Sequence, residues 1–263
     1  MFFTIMALIE SGDAVLYPNP GFPIYESMIE FFGDTAVPIQ LHGDKDFNID
    51  INEVRNQITP KTKLIIINSP NNPCGSVIGR EELEALSVIA KENDILVMSD
   101  EIYIRFLYEG SHESISAYPG MLDRTIILDG FSKTYAMTGW RLGWSYWPEK
   151  CIEHFVKLIT NSVSCVNAPT QYAGIAALDG PDDFINLMMK EFTQRRNLIH
   201  KLLNDLPGVE CSLPGGAFYA FPNVKGTGMS GAEFAKKCMY EAGVAIVPGT
   251  AFGNTAHDYV RFS

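Results

Sequence analysis

Five short apolar runs divide the first half of the chain, with longer polar stretches between them. The run "KLIIINSP" is continuously apolar through its centre, which is typical of a strand in a parallel sheet that is covered on both faces. One joining stretch places Leu83, Leu86 and Ile89 at the spacing of an amphipathic helix. Strands that alternate with helices predict βαβ units. The predicted strands are "AVLYP", "TAVPIQL", "KLIIINSP" (about residues 63–68), "ILVMSDE" and "RTIILDG".

Two further helices are predicted near the N-terminus, over residues 1–11 and about 25–32. The first, "MFFTIMALIE", is apolar enough to be buried. Glu10 interrupts it and no basic segment precedes it, so it makes a poor signal peptide, and it is too short to span a bilayer. The sequence therefore predicts no membrane attachment.

The pattern changes at Pro148, where long helices are predicted over about residues 149–163, 169–178 and 182–206. A mixed segment follows, with strands at "GAFYAFP", "VAIVPG" and "YVRFS". Between them, "SGAEFAKKCMYEAG" predicts a helix with Ser230 as its N-cap. The simplest division is one α/β domain over residues 1–147, extending into the helices to about residue 180, and a smaller α/β domain over 181–263.

The composition limits which binding partners and which cellular compartment are expected. The 263 residues carry a net charge of −11, which argues against nucleic acid or an anionic membrane as the main partner. The five cysteines are scattered, odd in number and contain no C-x-x-C pair, which favours free thiols in a reducing cytoplasm. The five histidines show no H-x-x-x-H or H-x-H spacing, so no metal site is predicted.

Polar residues follow the predicted strands where a ligand would bind. In open α/β sheets, ligands bind at the carboxyl ends of the strands. Asn72, Asp100, Tyr103 and Lys133 come at or shortly after the ends of these strands, and Arg141 precedes "LGWSYW". Each also fits an ordinary role in a turn, a helix cap, the core or a solvated surface. Their convergence on one edge of the sheet predicts a ligand site.

Four motifs make the assignment specific: "SPNNPCG", "SDEIY", "SKTYAMTGWRLG" and "YVRFS". Together they resemble the class I/II aminotransferases, which are pyridoxal-phosphate enzymes of fold type I. The resemblance covers nearly the whole chain, and "MTGWRLG" and "GFPIYES" resemble the aspartate-type members. It implies a mostly parallel, doubly wound sheet in a large domain, followed by a smaller α/β domain that is incomplete here.

The resemblance implies a role for each residue around pyridoxal 5'-phosphate. Lys133 would be the catalytic residue, forming a Schiff base with the cofactor and then moving a proton. Its amine must lose a proton to react, which an apolar pocket and a nearby cation favour. Asp100 would face the pyridine nitrogen and keep it protonated. Tyr103 and Asn72 would bind the phenolic oxygen.

The same resemblance also implies which residues would bind the phosphate, the ring and the substrate. Arg141, helped by Ser132, would bind the phosphate, because a guanidinium binds phosphate in bidentate fashion. Phe22 in "NPGFPIY" would stack on the pyridine ring, or it is only a core phenylalanine. Arg261, beside Asn72, would bind the substrate α-carboxylate. The substrates would be an amino acid, aspartate-like or aromatic, and a 2-oxo acid.

The sequence also departs from the family pattern. Cys74 stands where members usually have threonine, and Gly130 stands where they often have a hydroxyl residue. Members have further segments before Met1 and after Ser263, so we expect an internal fragment or a shortened relative that transaminates poorly by itself. The family also implies a homodimer. A β-lyase, a cyclopropane-forming synthase and a truncated, non-catalytic relative remain as alternatives.

Overall fold

A six-stranded sheet forms the centre of the computed structural model, which describes residues 1–263. The strand order is β2-β1-β3-β4-β5-β6, and every neighbouring pair is parallel except β5 and β6, which are antiparallel. The strands span Ala14–Asn19 (β1), Thr35–Gln40 (β2), Thr62–Asn68 (β3), Leu96–Asp100 (β4), Thr125–Gly130 (β5) and Gly143–Tyr146 (β6).

Separate apolar cores cover the two faces of this sheet. Alternate residues of a strand point to opposite faces, so Ile65 enters one core with Leu86 of the fourth helix. Ile66 enters the other core with Ile5 and Tyr25 of the first two helices. Burial on both faces explains the unbroken apolar run in β3. The helices of this half are α1 (Phe2–Leu8), α2 (Ile24–Phe31), α3 (Ile51–Gln57), α4 (Arg80–Glu92) and α5 (Phe131–Thr134).

Four longer helices and a small sheet make up the rest of the chain. The helices are α6 (Glu149–Ser162), α7 (Ala168–Asp179), α8 (Asp183–Asn204) and α9 (Gly231–Ala242). Strands β7 (Val247–Pro248) and β8 (Val260–Arg261) pair in antiparallel fashion. The predicted N-cap of α9 is confirmed, because Ser230 and Glu233 form a reciprocal capping box. No helix has the length and apolar character needed to cross a bilayer.

The predicted fold class is confirmed, but two local predictions were wrong and two elements were not predicted. "GAFYAFP" is a turn with isolated bridges at Gly216 and Ala220, because Ala217 adopts a left-handed backbone with φ 58°. Helix α1 ends at Leu8 and is covered on one face only, with Met6 47% exposed. Helix α3 and strand β6 were not predicted, because both are short and β6 is largely exposed.

Candidate active site

A cavity of about 460 Å³ opens at the carboxyl ends of β3, β4 and β5. Asn68, Asp100 and Asp129, at or near the ends of these strands, all line it. A larger surface depression of about 700 Å³ shares only Arg141 with it. The structure therefore brings every site residue predicted from the sequence into one cavity, namely Phe22, Asn72, Asp100, Tyr103, Ser132, Lys133, Arg141 and Arg261.

Lys133 lies in the short helix α5, directly after β5. Its Nζ atom is 5.9 Å from the centre of the Tyr103 ring and 5.8 Å from that of Phe218. Burial lowers the pKa of the amine, and the positive charges of Arg261 and Arg141 lower it further, while Asp100 raises it. A lysine amine in these surroundings is available as a nucleophile nearer to neutral pH.

Asp100 is the buried carboxylate of the cavity. Its Oδ2 accepts a hydrogen bond of 2.7 Å from the Tyr25 hydroxyl, and the Ile102 backbone N–H lies 3.4 Å from its Oδ1. Burial raises the pKa of Asp100, and these two donors lower it in part. A cationic group in the cavity would favour the ionised carboxylate. Sequence reasoning missed Tyr25, which lies in the first turn of α2, three residues after Phe22.

Arg261 is held between two aromatic rings. Its guanidinium lies 4.5 Å from the centre of the Tyr219 ring and 4.6 Å from that of Phe252. Its Nη1 donates to Asn72 Oδ1 at 2.9 Å, while its buried Nε has no partner. A guanidinium that is rigidly held and incompletely bonded is suited to receive a carboxylate. Tyr219 and Phe252 lie in "PGGAFYAFP" and "VPGTAFG", and sequence reasoning missed both.

Tyr103 shares its hydroxyl with a second tyrosine. Its O–H group lies 2.6 Å from the hydroxyl of Tyr219, and burial raises the pKa of both groups. Both hydroxyls are therefore protonated at neutral pH. Each can donate a hydrogen bond as well as accept one.

The remaining predicted residues lie at the exposed side of the cavity. Arg141 is exposed and adopts a left-handed backbone with φ 56°, and its Nη1 donates to the Thr138 carbonyl at 3.1 Å. The Thr138 hydroxyl donates to the Ser132 carbonyl at 3.0 Å, which closes this turn. Phe22 is half-buried, and its ring meets that of Tyr25 edge to face at 5.9 Å.

A second carboxylate, Asp129, also lines the cavity and was missed by sequence reasoning. Its pKa is raised to about 6, chiefly by burial and in part by the charges of Glu101 and Asp100, while the Gly130 N–H and His112 oppose the rise. At neutral pH Asp129 is still mostly ionised, but its negative charge is less stable in the folded state than in the unfolded chain. The Gly130 N–H donates to its Oδ1 at 2.6 Å, a bond that asparagine can also accept.

We expect Asp129→Asn to stabilise the fold at pH 7.5. The gain should be roughly 1–2 kcal/mol, less than the pKa difference alone implies, because solvent screens a half-buried carboxylate. The raised pKa of Asp129 means that its ionised form destabilises the folded protein, and this cost disappears once the pH falls below the pKa of the group in the unfolded chain. The stability gained by Asp129→Asn should therefore shrink as the pH falls below 6 and be small at pH 4. Thermal unfolding at both pH values measures it. The same change at exposed Asp123 is the control, and equal gains for the two variants would contradict the argument.

The polar side chains of the cavity together suit one kind of ligand. An amine with a lowered pKa is suited to an aldehyde, and two arginines are suited to anionic groups. The orphaned Nε of Arg261 marks a place where a hydrogen-bond acceptor is missing. A buried carboxylate completes the set and is suited to a cationic nitrogen.

Comparison with known proteins identifies the class. Residues 2–263 match the family model "Aminotransferase class I and II". An aspartate aminotransferase of Pyrococcus abyssi is 40% identical over 262 residues, covering 98% of this chain and 67% of the relative. The solved aromatic aminotransferase of Pyrococcus horikoshii is 38% identical with a TM-score of 0.95, covering 100% of this chain and 71% of the other.

The chain belongs to the class I and II aminotransferase family. The family resemblance drawn from the sequence is thereby confirmed, and with it the prediction that the protein is an enzyme of the aminotransferase type. The chain spans about two thirds of the length of these relatives.

Proposed function

We propose that the chain is a pyridoxal-phosphate-dependent aminotransferase that moves an amino group between an aspartate-like or aromatic amino acid and a 2-oxo acid. The observation that carries the proposal is that one cavity is lined by the amine of Lys133, by a buried carboxylate, Asp100, and by two arginines, Arg141 and Arg261. An aromatic-amino-acid aminotransferase of Thermococcus litoralis, 38% identical, supports the aromatic option beside the aspartate relative.

Six residues would hold the cofactor. Arg141 and Ser132 would bind the phosphate, Phe22 would stack on the ring, Asp100 would face the ring nitrogen, and Tyr103 and Asn72 would bind the phenolic oxygen. When bound, pyridoxal phosphate supplies an aldehyde that reacts with amines and a protonated ring that accepts electrons. The cavity residues hold the ring in one orientation, which reduces the entropy that reaction would otherwise cost.

Lys133 has two roles in the proposal. Its amine would hold the cofactor covalently, and in its free form it would move a proton at the substrate α-carbon. Arg261 binds the substrate carboxylate and so places that carbon near Lys133. The rings of Tyr103 and Phe218 keep the surroundings of the amine apolar.

Trapping of the cofactor and turnover test the function together. The protein is incubated with pyridoxal phosphate and reduced with borohydride, and mass spectrometry should locate the added mass on Lys133. Turnover is then measured with aspartate, tyrosine or phenylalanine as donor and 2-oxoglutarate as acceptor. Because a β-lyase shares Lys133, Asp100 and Arg141, release of ammonia without any acceptor would identify that alternative. A reduced adduct without either reaction would support the non-catalytic alternative.

The proposal includes a homodimer in the cytoplasm. The segment from α6 to α8 exposes large apolar side chains, among them Val156 at 56%, Val163 at 62% and Leu178 at 62%. All five cysteines are free, in keeping with a reducing compartment. We retain residues 1–147, extending to about 180, as the cofactor-binding domain and 181–263 as the smaller one.

We expect the protein to form a two-fold dimer in solution. An exposed apolar surface of this kind is stabilised by a second copy, and symmetric dimers are the commonest soluble oligomers. Light scattering coupled to gel filtration measures the mass, and Val163→Lys should weaken the dimer if this surface forms it. A monomer across the micromolar range would contradict the prediction.

A further inference from the structure

One tyrosine, Tyr219, contacts both halves of the proposed site. It is 7% exposed, and its hydroxyl lies 2.6 Å from that of Tyr103. The face of the same ring lies 4.5 Å from the guanidinium of Arg261. On the proposed function, Tyr103 contacts the cofactor and Arg261 contacts the substrate. Tyr219 therefore lies between the two binding groups.

The backbone fixes Tyr219 in this position. The N–H groups of Gly215 and Gly216 both donate to the Gly75 carbonyl at 2.9 Å, which holds the tyrosine's loop against the loop that carries Asn72. One residue further on, Ala220 pairs with Phe262 through two backbone hydrogen bonds of 3.2 and 2.9 Å. Because Phe262 adjoins Arg261, this bridge places Tyr219 diagonally across from the arginine.

The hydrogen bond between the two tyrosines has a direction that matters. A single bond joins the hydroxyls, so one of them donates and the other accepts. If Tyr219 donates, the proton of Tyr103 remains available for an acceptor in the cavity. A hydroxyl that accepts one hydrogen bond also becomes a stronger donor of the next.

We propose that Tyr219 is a positioning residue with two separable effects. Its hydroxyl donates to Tyr103 and so directs the Tyr103 proton to the phenolic oxygen of the cofactor. Its ring holds the Arg261 guanidinium ready for the substrate carboxylate. This inference rests on the proposed function and adds to it a residue that acts through its neighbours.

Two substitutions separate these effects. Tyr219→Phe keeps the ring and removes the hydroxyl, so Tyr103 should donate less strongly and the cofactor's imine nitrogen should become more basic. We expect the pH midpoint of the visible absorption band of the loaded protein to rise by roughly half a pH unit. Affinity for maleate, an unreactive dicarboxylate, should stay within about twofold. Tyr219→Leu removes the ring as well and should also weaken maleate binding about fivefold.

Tyr108→Phe is the matched control. The Tyr108 hydroxyl donates to the Ala217 carbonyl at 2.7 Å, on the same loop, but Tyr108 does not line the 460 Å³ cavity. This control should leave both the pH midpoint and the maleate affinity unchanged. An equal change in the control would show that disturbance of the loop is the cause, which overturns the inference.

The remaining outcomes separate this inference from the proposed function. If the unaltered protein shows a reduced adduct on Lys133 and Tyr219→Phe keeps its pH midpoint, the inference is wrong and the function stands. If no adduct forms on Lys133, both are wrong. A fall in the midpoint of Tyr219→Phe would show that Tyr103 is the donor in the pair, and would also overturn the inference.

Discussion

Lys133→Ala is expected to abolish transamination and to leave no reducible adduct with pyridoxal phosphate. Turnover should fall by roughly 10⁴-fold or more, because one side chain supplies both the covalent anchor and the proton transfer, and proton transfer alone contributes about 10²–10⁴. Burial and the charges of Arg261 and Arg141 lower the pKa of Lys133, and an exposed lysine such as Lys190 does not lie in this cavity. Turnover of aspartate with 2-oxoglutarate and the mass of the borohydride-reduced protein measure the two effects.

Lys190→Ala is the control for this variant. Lys190 lies exposed on α8 and does not line the cavity, so its loss should change neither measurement. Added methylamine should restore part of the activity of Lys133→Ala if the missing function is proton transfer by an amine. A reduced adduct of unchanged mass in Lys133→Ala would show that another amine binds the cofactor.

Asp100→Ala should lower turnover by roughly 10³-fold while the reducible adduct on Lys133 still forms. A buried carboxylate that faces the ring nitrogen stabilises charge that develops only during reaction, and removal of one such fixed group costs about 10²–10³ in rate. Formation of the covalent link depends on the amine of Lys133 and not on ring protonation. Turnover and the reduced adduct, measured on one preparation, test the two halves of the prediction.

Asp100→Asn distinguishes an electrostatic loss from a structural one. The fully buried Tyr25 hydroxyl donates to Asp100, and alanine would leave that donor without a partner, which costs about 1–3 kcal/mol. Asparagine keeps an acceptor for Tyr25 but removes the charge. We therefore expect Asp100→Asn to unfold near the temperature of the unaltered protein and still to lose most of its turnover. Full turnover in the asparagine variant would refute the role of the charge.

Much of the sheet could be predicted because its pattern is local. The unbroken apolar run of β3 reflects burial on both faces, with Ile65 and Ile66 in different cores. The apolar residues of "GAFYAFP" likewise predicted a strand, and that prediction was wrong. Its aromatic residues pack around Tyr103 and Arg261, where a turn at Ala217 is needed instead of a ladder.

Part of the candidate site could also be predicted from the sequence, and the rest could not. The sequence by itself placed Asp100 at the end of one predicted strand and Lys133 after the next, and the carboxyl ends of parallel strands share one edge of the sheet. That β4 and β5 are neighbours was decided by the tertiary structure. Only the tertiary structure decided the partners of these groups. Tyr25 is 75 residues from Asp100 along the chain, and Tyr219 is 116 residues from Tyr103. Such pairs depend on how loops and helices pack over the sheet, and no periodicity within one segment carries that information.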